Sequence, residues 1–244
     1  MPAIHAPETC RDGGILVLVT GFGAFPGAPV NPSAAILTRL ARHRGRLARL
    51  GIELETRLLP VVFDAIEPAL TAQATALKPA AILHLGLAGR RRTLSVETQA
   101  INRANPLHSD AAGRRPAQII SAGSPAILRA TYPANRILCA IRAQGAAAKR
   151  SIDAGDYVCN ATLYLTLERR YAPLAGFLHV PRPFVPRSRR STKPLGEGGA
   201  RRPSLDDLTR AVLAAVLVLA KDIRRLANPI EPNYILAKTR EPSP

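Results

Sequence analysis

Gly14-Ile15-Leu16-Val17-Leu18-Val19-Thr20 is an apolar run without a polar break, closed by Gly21. A strand wet on one side alternates polar with apolar residues, so this run describes a strand buried on both faces. Such a strand needs a helical layer on each side, and the chain supplies helices between its strands. Asn31-Pro32-Ser33 opens the first one, with Pro suited to a first helical turn. Residues 52–58 alternate apolar or Thr positions with Glu53, Glu55 and Arg57, the pattern of a strand with one wet face. Residues 63–77 read as a helix that Pro68 threatens to interrupt.

A second buried strand spans 80–85 and leads into Gly86-Leu87-Ala88-Gly89. Then come a strand at 93–102, a polar loop at 105–115, a helix at 135–143 and an irregular strand at 146–153. A helix at 157–169, a strand at 175–180 and a long helix at 205–226, introduced by Pro203-Ser204, complete the series. Alternating strands and helices predict an α/β fold: a single-domain three-layer α/β/α sandwich around a largely parallel, mixed sheet. Residues 15–226 form that domain. Residues 1–14 are expected to be a flexible N-terminal extension. Residues 181–202, rich in Pro, Gly, Ser and Arg, are expected to be a basic surface loop, and 227–244 an irregular C-terminal tail.

The chain has 244 residues, enough for one well-buried domain, and its core is built from Ala, Leu, Val and Ile because Trp is absent. The net charge of +17 raises the question of nucleic acid. Base readers bring stacking aromatics or a recognisable motif with their charge, and neither appears, so nucleic acid is not an expected partner. The start lacks the apolar centre of a signal peptide. The apolar run at 211–220 is too short for a bilayer, which needs about 20 residues, so no membrane association is expected. Cys10, Cys139 and Cys159 are odd in number and spaced for neither a disulfide framework nor a zinc site, which points to a reducing cytoplasm.

Cys159 precedes a helical pattern, where unpaired backbone N–H groups and the helix dipole favour a thiolate and offer a home for an oxyanion. Taken alone it admits two readings, a small core thiol or a nucleophile, and the Ala154-Gly155 turn before it favours the second. Cys139 is expected on the apolar face of its helix. A thiol nucleophile needs a base that later protonates the leaving amine. His5 falls in the extension, His43 among arginines on a solvated helix face, His84 inside an apolar strand and His108 in a polar loop. His179 ends Gly-Phe-Leu-His at the carboxyl edge of a strand, where α/β sites gather. Glu97 is either an ordinary residue on a wet strand face or the group that orients the imidazole. Gly21-Phe22-Gly23-Ala24-Phe25-Pro26-Gly27 lacks the Lys-Ser/Thr of a phosphate loop and carries Pro where a helix start would be needed.

Four separated blocks together resemble the pyroglutamyl peptidase I (pyrrolidone-carboxylate peptidase) family. They are Thr20 to Phe25 with Asn31-Pro32-Ser33; Gly86 to Gly89 with Leu94-Ser95-Val96-Glu97 and Ala100-Ile101-Asn102; Ala154 to Asn160; and Gly176 to Pro181. The resemblance implies a cysteine peptidase with Cys159, His179 and Glu97 as its triad and no metal or cofactor. It implies removal of an N-terminal pyroglutamyl residue from peptides, and a homo-oligomer. By position, Phe22, Phe25 and Tyr157 would line the slot for the flat lactam ring, with Asn31 holding the loop. The chain departs from the family pattern at Thr98-Gln99, where a basic residue usually follows the Glu. It departs again at Arg90, which replaces a glycine, at Asn105 to His108, at Asp153 and in the long basic segment 187–202. Two other readings remain at this point: a hydrolase of the same fold for another blocked amide, and a catalytically silent binding protein that uses its basic surface.

Overall fold

The computed structural model describes residues 14–25, 27–184 and 202–228. Most of the expected extension, of the basic loop and of the tail lies outside the described residues, as do His5 and Cys10, while Ala227, expected to begin the tail, ends α6. The strands are β1 (Ile15–Phe22), β2 (Ile52–Leu59), β3 (Ala81–Leu87), β4 (Leu94–Glu97), β5 (Gln99–Ile101), β6 (Ile127–Arg129), β7 (Ala148–Ser151) and β8 (Leu174–Val180). The helices are α1 (Pro32–Ala41), α2 (Arg44–Ala48), α3 (Phe63–Leu77), α4 (Ala134–Ala143), α5 (Val158–Glu168) and α6 (Leu205–Ala227).

Six strands form the main sheet in the order β2-β1-β3-β8-β4-β7. Every neighbouring pair is parallel except β4 with β8. All eight residues of β1 are buried, as expected for a strand covered on both faces. Ile15, Val17 and Val19 pack with α1, α4 and α6, whereas Leu16 and Leu18 face the opposite layer with Ile82 and Tyr171. That opposite layer is α3 and α5, whose Ile66, Leu70, Val158, Leu163 and Tyr164 pack over Phe177. The three-layer α/β/α sandwich with a mixed sheet is therefore present.

Four features differ from the sequence reading. The expected strand at 93–102 is two strands. It breaks at Thr98, after which β5 leaves the main sheet and pairs antiparallel with β6 in a sheet of its own. Pro68 sits inside a continuous α3, in its second turn, where it forfeits the single N–H bond that Asp64 O would have accepted without breaking the helix. α2 and β6 are too short to carry a period and escaped the pattern, and His43 marks the junction before α2. Cys139 is exposed, because Ile137, Leu138 and Ile141 form the buried stripe of α4.

Two helix starts are closed by side chains. Asn31 caps α1, its Oδ1 accepting from Ser33 N at 3.1 Å. Ser204 and Asp207 form a reciprocal capping box on α6. The start of α5 has no such cap. Among the described residues no helix is long and apolar enough to cross a membrane.

Candidate active site

The α5-facing side of the sheet carries a row of polar or small residues near the carboxyl ends of β1, β3 and β8. β3 brings His84 and Gly86, and β8 brings Phe177 and His179, with Gly86 in register with His179. β4 runs against β8, so Ser95 stands opposite His179 and Glu97 opposite Phe177. Side chains two apart share a face. Glu97 and His179 thus meet on one face of the sheet although 82 residues separate them in sequence.

Glu97 is fully buried, which corrects the wet-face expectation. Its Oε1 accepts from His179 Nδ1 at 2.8 Å, and this bond leaves the other ring nitrogen free to handle a proton. His179 is itself buried and lies against the Phe177 ring at a centroid distance of 4.7 Å. Tyr132, just before α4, braces the arrangement from behind. Its hydroxyl reaches Glu97 O at 2.9 Å and Phe177 O at 3.0 Å. Burial, then the Glu97 charge, push that phenol well above its ordinary value, so it stays neutral.

Cys159 is the second residue of α5, at a helix start whose first N–H groups have no intrahelical acceptor. The approach turn depends on Gly155, which has φ +82° and so favours glycine. Asp153 Oδ1 accepts from Gly155 N at 2.9 Å, closing the turn as an Asp side chain commonly does. The sulfur lies over β3. A Cβ added to Gly86 would stand 2.9 Å from it. The expected lowering of the thiol's pKa by the helix start is overridden here. Burial, then the Glu97 charge, push it up to about 12, against smaller opposing effects of its own backbone N–H and of Arg91.

Cys159 and His179 line one cavity of about 150 Å³ together with Phe22, Phe25, Asn31, Val61, Leu87, Ala154, Tyr157 and Val158. Phe22, Phe25 and Tyr157, expected to line the ring slot, are in its wall, as is Asn31, expected to hold the loop. Phe22 is the buried last residue of β1 and not part of the loop, so it serves core and cavity at once. Phe25 and Tyr157 are 6.3 Å apart, and Phe63 meets Tyr157 edge-on at 5.4 Å. Asn31 Nδ2 donates to Gly23 O at 3.1 Å and ties the aromatic loop to α1. A cavity of 150 Å³ has room for roughly five waters, which suits one small ring and not a run of peptide. Larger open clefts along α3 and residues 116–126 contain neither Cys nor His.

The other described histidines stay apart. His84 is fully buried between Thr20 Oγ1 at 2.6 Å and Thr166 Oγ1 at 2.9 Å. Thr166 gives its own proton to Thr162 O, so His84 Nε2 donates and Nδ1 accepts, the pattern of a neutral ring. Burial lowers its pKa to about 3. His108 is exposed and lies 3.7 Å from Asp156.

Three further residues complete the site. Arg91 NH1 donates to Glu97 Oε1 at 2.6 Å, and its NH2 to Asp153 O at 2.8 Å. Asn160 exchanges bonds with Ile101 N and O, at 2.9 and 2.8 Å, and pins β5 beside α5. Tyr132 is the third. Nothing in the run Arg90-Arg91-Arg92 distinguishes the inward arginine from its exposed neighbours, and Tyr132 is remote in sequence from every block.

The pyroglutamyl peptidase family model matches residues 15–222. A pyrrolidone-carboxylate peptidase of Chromobacterium violaceum is 37% identical over 213 residues, covering 86% of this chain and 96% of that protein. The enzyme of that name from Pyrococcus furiosus is 32% identical over 70% of this chain and 81% of its own length. Among solved structures, pyroglutamyl peptidase I of Bacillus amyloliquefaciens superposes with a TM-score of 0.71 at 29% identity, covering 85% of this chain and 97% of that one. Pyrrolidone carboxyl peptidase of Thermococcus litoralis gives 0.73 at 28%, covering 89% and 98%.

Proposed function

The chain belongs to the pyroglutamyl peptidase family, and from that premise we propose that Cys159, His179 and Glu97 perform its chemistry on the lactam-capped end of a peptide. Membership makes the protein a cysteine peptidase of the omega type that acts on pyroglutamyl peptides. The observation that carries the residue assignment is the buried Glu97–His179 bond of 2.8 Å opening on the cavity that Cys159 lines.

The ring of the pyroglutamyl residue enters between Phe22, Phe25 and Tyr157, and the scissile carbonyl meets Cys159. A thiol held at about 12 is a poor nucleophile by itself. Transfer of its proton to His179 Nε2 makes a thiolate beside an imidazolium, and Glu97 stabilises that cation through Nδ1–H. The sulfur attacks the carbonyl carbon, and the negative oxygen is received by the free N–H groups at the start of α5. As the tetrahedral adduct collapses, the C–N bond breaks and His179 gives its proton to the departing amine. A thioester remains. Water then attacks the thioester with His179 as base, and pyroglutamic acid leaves as Cys159 is restored.

The same reading includes self-association, for which the exposed Leu107, Ile119 and Ile152 offer apolar surface. It also includes a cytoplasmic setting that keeps the thiol reduced. Light scattering and fractionation check these two points.

The direct test is hydrolysis of a fluorogenic pyroglutamyl amide by the wild type and by Cys159→Ala, with acetyl-prolyl and acetyl-alanyl amides alongside. Activity confined to the pyroglutamyl amide and lost in the variant is expected. Preference for another blocked amide would transfer the protein to a different substrate class, and full activity of the variant would remove Cys159 from the mechanism.

A further inference from the structure

The run Arg90-Arg91-Arg92 contributes one residue to the site interior. Arg90 and Arg92 are exposed, whereas the side chain of Arg91 retains 25% of its exposure and reaches a carboxylate that retains none. Its two terminal nitrogens take different partners, Glu97 Oε1 at 2.6 Å and the carbonyl of Asp153 at 2.8 Å. Oε1 is also the atom that accepts from His179 Nδ1, while Oε2 is buried without a partner among the described residues. The side-chain hydrogen bonds of Glu97 therefore pass through one oxygen shared by Arg91 and His179.

This arrangement matters because His179 changes charge during the reaction. A buried carboxylate without a cation is costly and tends to take up a proton. His179 can serve as that cation only while it carries a proton, which it gives up to the leaving amine. A guanidinium keeps its charge at every stage. The second hand of Arg91 holds Asp153, which begins the Ala154-Gly155 turn into Cys159. One side chain thus joins the strand of the orienting carboxylate to the segment that presents the nucleophile.

We propose that Arg91 is a positioning residue of the peptidase reaction. It holds Glu97 aimed at His179 Nδ1 in both protonation states of the ring, and it clamps the approach turn of Cys159 to the same carboxylate. The inference rests on the assignment of Cys159, His179 and Glu97 made above. The charged or titratable groups around it are Glu97 on β4, His179 on β8, Cys159 and Tyr157 at the head of α5, and Tyr132 before α4, with Asp110 acting on Tyr157. Against the push of Glu97 on the Cys159 thiol stand the charge of Arg91 and the backbone N–H of Cys159 itself.

The test compares Arg91→Met and Arg91→Lys with Arg90→Met and Arg92→Met in the full chain, each variant checked by thermal melting. Two readouts are needed: kcat and KM on a pyroglutamyl amide, and the alkylation rate of Cys159 by iodoacetamide against pH, resolved by peptide mass spectrometry. Arg91→Met should lower kcat at least about tenfold with KM nearly unchanged, since it disturbs general acid–base catalysis worth about 10²–10⁴-fold. It should also slow alkylation of Cys159 about tenfold at each pH between about 7 and 9, because the rate there follows the thiolate fraction and an opposite charge in contact changes that fraction by at least about this much. Arg91→Lys restores the alkylation rate but only part of kcat, because one ammonium does not hold both partners as the fork does. Arg90→Met and Arg92→Met match the wild type. Unchanged kcat and alkylation rate in folded Arg91→Met would overturn the proposal, as would a loss carried by KM alone. The alkylation readout needs no substrate. A slowed alkylation in a protein that ignores pyroglutamyl amides would therefore count against the substrate reading and leave the role of Arg91 standing.

Discussion

Gly86→Ala places a methyl group in space already occupied by Phe177 and Cys159. The new Cβ would stand 2.6 Å from Phe177 Cζ and 2.9 Å from Cys159 Sγ. Nonbonded carbon contacts settle at about 3.5–4.0 Å, so the neighbours must give by roughly 0.6 to 0.9 Å. Phe177 is fully buried and packed against the His179 ring, so it has nowhere to go. Cys159 borders the cavity, and its sulfur will take most of the movement. A misplacement of about 1 Å costs about 10²-fold in rate, so kcat should fall about 30- to 100-fold. Overpacking should also cost about 1–3 kcal/mol of stability. Steady-state kinetics on a fluorogenic pyroglutamyl amide, with urea unfolding in parallel, read both quantities. Gly45→Ala is the control, because an added Cβ there meets nothing within 4 Å. A folded Gly86→Ala enzyme whose kcat equals that of the wild type would refute the placement of the sulfur against β3.

Other perturbations probe the supports of the site. Tyr132→Phe removes the donor to Glu97 O and Phe177 O and should cost about 1–3 kcal/mol in urea unfolding, because the buried carbonyls lose a partner; unchanged stability contradicts the bracing role. Asn31→Ala removes the α1 cap and the tie to Gly23, so it should cost about 1 kcal/mol and raise KM more than it lowers kcat; a loss confined to kcat would argue against the loop as the ring slot. His84 has a folded-state pKa of about 3 against 6.5 unfolded. Below 6.5 the unfolded chain takes up a proton that the native chain refuses, so this contribution is intact at neutral pH and is lost as pH falls towards 3. Relative to His84→Gln, the wild type should lose about 3 kcal/mol more stability between pH 7 and pH 4; parallel stability profiles would show that His84 does not titrate this way.

Much of the fold was legible because its strands are pure types. The run at 15–19 can only be doubly covered, and the alternation at 52–57 belongs to a strand with one wet face, as in β2, where Glu53 is exposed between buried Ile52 and Leu54. The break at Thr98 was not legible. It depends on β5 finding β6 and on Asn160 pinning Ile101, contacts that no local pattern encodes. Cys139 was misplaced because a ten-residue helix leaves the direction of its apolar stripe loosely set by sequence. Of the site, the three proposed catalytic residues and the four cavity residues were readable as blocks. Their electrostatics were not. A helix start favours a thiolate, but burial and a carboxylate some sixty residues away in sequence push the Cys159 thiol the other way, and only folding brings them together. Arg91 was hidden by its neighbours, since a run of three arginines reads as solvated charge until one of them turns inward.

The claim on which everything else depends is that Cys159 carries the acyl group. Mixing enzyme with excess pyroglutamyl amide, quenching in acid within one turnover and mapping the peptides by mass spectrometry observes that group directly. The account predicts a pyroglutamyl thioester on Cys159, absent from Cys139 and absent when Cys159 is replaced by Ala. An acyl group on another residue, or undiminished turnover in the Cys159→Ala enzyme, would contradict it.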